Sequence, residues 1–109
     1  MVGEIYLAKI YFTDLSKYKI RPILILKELD QDCICLQVSS QIKPNRLLIT
    51  NSNLIDGKLK KESVVIVPKN FTLHKSVFGK YIGKIEKNIL DKVFLKFCKE
   101  IGCNDEYKN

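Results

Sequence analysis

One histidine, two arginines and no tryptophan stand in 109 residues, and these shortages exclude whole classes of chemistry. With His74 alone, a ribonuclease mechanism built on a pair of histidines is impossible within one chain. His74 itself lies in a turn-like stretch, FTLHKS, and reads as a surface residue. No apolar run reaches the roughly 18 residues that a membrane-spanning helix needs. There is no P-loop, no GxGxxG and no HExxH. Asp14, Asp30, Asp32 and Asp56 are dispersed on turns, an ordinary place for aspartate, so the carboxylate cluster of a metal-dependent nuclease is missing. The cysteines, Cys33, Cys35, Cys98 and Cys103, have neither CxxC spacing nor histidine neighbours, so no metal site and no cofactor are expected. Cys33 and Cys35 share one face of a strand-like run and are poorly placed to bridge. All four read as small buried hydrophobes with reduced thiols. The N-terminus, MVGEIYLAKI, carries Glu4 early and reads as a strand, not a signal peptide. Reduced thiols without a leader point to a cytoplasmic protein.

Hydrophobic residues make up 46% of the chain, enough for one packed domain spanning 1–109. The net charge of +7 suits a nucleic acid, an acidic protein or a membrane surface, though a plain solvated lysine surface accounts for it equally well. The seventeen lysines are scattered from Lys9 to Lys108 and form no basic tail. Against that background the arginines, Arg21 and Arg46, mark places where a planar, forked cation is wanted.

Alternating apolar residues predict strands at 3–12, 33–40 and 47–50. Continuous apolar runs predict buried strands at 23–26 and 63–67, the latter ended by Pro68, and 81–85 reads as the last strand. Segments 13–20, 28–32 and 41–46 read as polar connections, and Asp56-Gly57 as a tight turn. The period then changes. Ile89, Leu90, Val93, Phe94, Phe97, Cys98 and Ile101 form one helical stripe, with Asn88 as a candidate N-cap and Gly102 as its C-terminal stop. Five or six short strands and one terminal amphipathic helix predict a mainly β (α+β) fold, a small, strongly bent antiparallel barrel.

Two features remain for phosphate chemistry. The stretch FTDLSKYKIRPILIL delivers Arg21 at the mouth of an apolar strand, stiffened by Pro22. The strand CICLQVSS places Ser39 on the face opposite the core-facing Ile34, Leu36 and Val38, with Ser40 next to it. A forked guanidinium binds a phosphate in two-pronged fashion, and a serine hydroxyl adds one hydrogen bond. Spacing alone is also served by a plainer reading, in which Arg21 caps one strand and Ser39 ends another.

The segments GEIYLAKIYF, FTDLSKYKIRPILIL, LQVSSQI, and KKESVVIVPKNFTLHKS followed by GKYIGKI occur in an order and at spacings that resemble the MazF/PemK family of toxin–antitoxin ribonucleases. The resemblance covers nearly the whole chain. It implies an SH3-like barrel, a homodimer, a cognate acidic antitoxin, operator DNA bound only through the antitoxin complex, and metal-independent cleavage of single-stranded RNA. It implies that Arg21 and Ser39 are the catalytic pair. The RNA's own 2′-hydroxyl would attack, leaving a 2′,3′-cyclic phosphate and a 5′-hydroxyl. Lys19, Ser40, Gln41 and Lys69 fall at or beside the family's substrate-binding positions, and Tyr18 is placed to stack on a base. The chain departs from the family in having Ser39 where threonine is common, which leaves Ser40 open as the partner. Its loop before Arg21 is also short and not glycine-rich. Two other functions fit the same fold: a CcdB-like gyrase poison, against which the ending NDEYKN and the missing tryptophan argue, and an RNA-binding barrel without activity.

Overall fold

The computed structural model describes residues 1–11 and 14–103. Phe12 and Thr13, assigned above to the end of the first strand and the start of its loop, lie outside the described residues, as does 104–109. Seven strands, β1 (Glu4–Tyr11), β2 (Tyr18–Leu29), β3 (Asp32–Ser39), β4 (Leu47–Ile49), β5 (Leu54–Gly57), β6 (Ser63–His74) and β7 (Phe78–Ile85), precede helix α1 (Lys87–Ile101). They form one bent antiparallel sheet in the order β4-β6-β3-β2-β1-β7-β5. The barrel-like shape expected from the short strands is therefore present. Its outer strands, β4 and β5, each pair with one neighbour only.

The sheet bends because its long strands carry irregularities. Leu26 of β2 is an extra residue between the pairs Ile25↔Cys35 and Lys27↔Ile34. In β6, Val67, Pro68 and Lys69 stand between Ile66↔Gln37 and Asn70↔Leu36 without partners on β3. Pro68 was expected to end this strand. It sits instead in a bulge, where its missing N–H costs no ladder bond, and β6 resumes to His74.

Residues pack on both faces. Leu24, Leu26, Leu36, Val38, Val65, Val67, Ile89 and Val93 belong to the larger cluster, under α1. Ala8, Ile23, Ile25, Cys33 and Cys35 form a second cluster on the other face. At Cys35 and Leu36, β3 is thus buried on both sides, and burial pushes the Cys35 thiol up to about 12. Burial raises Cys33 as well, so both thiols are inert packing groups.

Several expectations are corrected. β2 begins at Tyr18, inside the segment read as loop, because its pairing with β1 continues from Ala8↔Arg21 to Tyr11↔Tyr18. Tyr11 and Tyr18 pack with ring centroids 5.4 Å apart, and Lys9 lies over the Tyr18 ring. Asp56-Gly57, read as a tight turn, is instead the end of β5, whose strand character comes from pairing with β7, where Gly57 lies opposite Gly83. Helix α1 starts one residue before Asn88, with Glu86 as the cap residue. On its expected apolar stripe Ile89 and Val93 are buried, whereas Phe94 and Ile101 are exposed. Gly102 does terminate it, in the left-handed conformation with φ 72°. That reversal brings Cys103 back beneath Cys98, its N–H donating to the Cys98 carbonyl at 3.0 Å. The two cysteines, read as reduced thiols, are joined as a disulfide, their Cα atoms 5.1 Å apart.

Candidate active site

The β2–β3 ladder pairs Leu24 with Leu36 and Ile23 with Gln37, and it stops there. The next residue on β2 is Pro22, which has no N–H to give. Carrying the register two residues further sets Arg21 opposite Ser39. Alternation puts both on the face shared by Ile23, Ile25, Cys33 and Cys35. A cavity of about 590 Å³ opens where the ladder ends, and Arg21, Pro22, Ser39, Ser40 and Gln41 all line it.

Arg21 is exposed and makes no hydrogen bond or ion pair among the described residues. Its guanidinium is therefore uncommitted, with five N–H donors. Ser39 is half-buried, and its Oγ accepts the Gln41 N–H at 3.1 Å. A hydroxyl that accepts keeps its own proton to donate. Arg46, the other arginine, donates through Nη1 to the Gln41 carbonyl at 3.1 Å. The backbone of Gln41 is thus held on both sides, and Arg46 has a structural task. Of the two serines, Ser39 is the one anchored at the strand end; Ser40 is exposed beyond it.

The remaining expected contacts are not at the cavity. Lys19 lies on β2 opposite Ile10, and Lys69 in the β6 bulge; neither lines it. His74 is also elsewhere. It ends β6, and its Nδ1 accepts the Ser76 N–H at 3.1 Å, capping a short turn. Sequence reasoning missed four lysines that do line the cavity: Lys58, Lys60 and Lys61 after β5, and Lys80 on β7. The run KLKK was visible, but nothing local says where it folds. With Arg21 they make five cations, and among the described residues no carboxylate lines the cavity.

Tyr81 lines the cavity too, and its hydroxyl donates to Asp56 Oδ2 at 2.6 Å. That hydrogen bond, with some burial and the charge of Asp56, pushes the phenol up to about 12. Tyr81 stays protonated at neutral pH, its proton committed to Asp56, and is no base. Among the described residues no three His, Cys, Asp or Glu side chains gather as metal ligands, and no helix is long and apolar enough to cross a membrane. Chemically, the site offers a forked cation, a hydroxyl donor and a cationic wall, a set suited to a phosphodiester and its developing negative charge.

Residues 1–100 match the family described as PemK-like, MazF-like toxins of type II toxin–antitoxin systems. The chain belongs to this family. The toxin's fold is that of several solved structures. A mycobacterial endoribonuclease has a TM-score of 0.74 at 15% identity, covering 97% of this chain and 94% of its own. A second mycobacterial endoribonuclease, solved with its cognate antitoxin, has a TM-score of 0.70 at 17% identity over 94% and 92%. The MazE–MazF complex of Deinococcus radiodurans gives 0.72 at 15% identity over 93% and 94%. At such identities the likeness is one of fold. No curated protein matches this toxin in sequence.

Proposed function

We propose that this toxin is an endoribonuclease that cuts single-stranded RNA selectively by internal transesterification, without a metal ion. One observation carries the reading: Arg21, its side chain uncommitted among the described residues, and Ser39, with a proton to donate, line the same cavity. The 2′-oxygen attacks the neighbouring phosphorus, the bond from phosphorus to the 5′-oxygen breaks, and a 2′,3′-cyclic phosphate and a 5′-hydroxyl result. The 2′-proton goes to solvent, and the departing 5′-oxygen takes one up. Arg21 is the electrostatic stabiliser of the phosphoryl oxygens and hydrogen-bonds the departing 5′-oxygen, which takes its proton from solvent; its guanidinium stays protonated and is no base. Ser39 donates to a phosphoryl oxygen, and Ser40 and Gln41 contact the substrate beside it.

The fold's likeness to an endoribonuclease solved with its antitoxin supports an antitoxin as partner, and the net charge of +7 suits an acidic one. A homodimer, as the family resemblance implies, completes the reading. The test is incubation of the purified protein with single-stranded RNA in EDTA, followed by analysis of the ends. Fragments with 2′,3′-cyclic phosphates and 5′-hydroxyls are expected. Intact RNA at high protein concentration overturns the proposal.

A further inference from the structure

Lys58, Lys60, Lys61 and Lys80 are exposed, and none has an ion pair among the described residues, whereas Lys75, Lys87 and Lys96 each meet a carboxylate. Three of the four sit on a loop whose backbone is fastened. Leu59 is buried, 6% exposed. The Asn51 side chain grips it twice, accepting the Leu59 N–H at 2.7 Å and donating to the Leu59 carbonyl at 3.1 Å. The Lys58 N–H donates to the Ile82 carbonyl at 3.1 Å. Gly57, with φ +77°, ends β5 where the loop begins. Lysines are ordinarily spread by their mutual repulsion, yet here the fold gathers them along the cavity that holds Arg21.

We propose that these four lysines form a phosphate-binding wall for the nucleotides flanking the cleaved bond, and that Asn51 is the positioning residue of their loop. This rests on the ribonuclease reading above. A phosphate seated at Arg21 is covalently flanked by other phosphates, which must run along the same cavity, and among the described residues its charged lining beyond Arg21 is lysine without any carboxylate. An acidic peptide fits the charge but has no phosphate to anchor at Arg21.

Salt dependence tests the wall directly. The probe is a labelled single-stranded deoxyoligonucleotide, which lacks the attacking 2′-hydroxyl and survives the assay; its affinity is followed by anisotropy against salt concentration. The variant Lys58→Gln/Lys60→Gln/Lys61→Gln/Lys80→Gln is expected to lower the slope of log K against log salt by about 0.7 per phosphate contact, about 3 in all. Asn51→Ala is expected to lower the slope with every lysine still present, whereas a purely structural asparagine lowers Tm and leaves the slope alone. If Asn51→Ala does not fold, the exposed lysines still provide the test. A wild-type slope in the quadruple variant overturns the wall, even if the wild-type toxin cuts RNA. So does unchanged oligonucleotide binding with lost binding of a polyglutamate peptide. A lowered slope supports the wall, and if RNA stays intact alongside it, only the ribonuclease reading falls.

Discussion

Replacing Arg21 separates function from stability cleanly, because the side chain is exposed and bonds to no other described residue. Truncating such a residue changes folding stability by no more than about 0.5 kcal/mol. Its catalytic loss is far larger. Removing one donor aimed at developing charge costs about 2.7–4 kcal/mol, roughly a hundredfold to a thousandfold in rate. A guanidinium can present two such donors to one phosphate, so on the proposed role Arg21→Ala is expected at or beyond the upper end. Arg21→Lys keeps the charge and loses the fork. One charge-assisted hydrogen bond is worth about 1.5–3 kcal/mol, so a loss of roughly ten- to a hundredfold is expected. The assay is kcat/KM on a fluorogenic single-stranded RNA in EDTA, with Tm measured on the same samples. Arg21→Ala retaining a third or more of wild-type activity refutes the role of Arg21. A large drop in its Tm refutes the premise that the side chain is structurally idle.

Three further outcomes are expected. His74→Ala leaves cleavage unchanged, and the pH–rate profile has no inflection near the ordinary histidine pKa of about 6.5, because His74 lies outside the cavity; kinetics across neutral pH check both. Tyr81 titrates late, at about 12, in ultraviolet phenolate absorbance, and Asp56→Ala brings it back toward 10. Between those values the folded state holds a proton that the unfolded state has lost, so stability falls as pH rises through the interval, and alkaline unfolding of Asp56→Ala has less of that fall. Gly57→Ala lowers Tm strongly, since φ +77° disfavours a side chain and the new Cβ would drive into the Ile82 carbonyl oxygen; thermal unfolding measures it, and Gly79→Ala, with only an ordinary contact to the Leu7 carbonyl, is the mild control.

What the sequence determined by itself was whatever is written in local period and composition. Alternation located β1 and β3, the change to helical spacing located α1, and Gly102 marked its end. Period two also put Ser39 on the face away from Leu36 and Val38, and the scarcity of arginine drew attention to Arg21. These signals survive because they depend only on φ/ψ preferences and on which face of one element meets a core. The tertiary structure alone decided the rest. The existence of β5 and the passage of β6 through Pro68 each depend on a strand distant in sequence offering its hydrogen bonds, and the early start of β2 on its hairpin partner β1. The Cys98–Cys103 pairing follows from a reversal after the helix, not from any spacing rule. Most consequentially, Lys58, Lys60, Lys61 and Lys80 reach the cavity of Arg21 because Asn51 and Leu59 fasten one loop and β7 crosses beside it. Lysine carries no positional preference of its own beyond solvent, so only long-range pairing could bring those charges together.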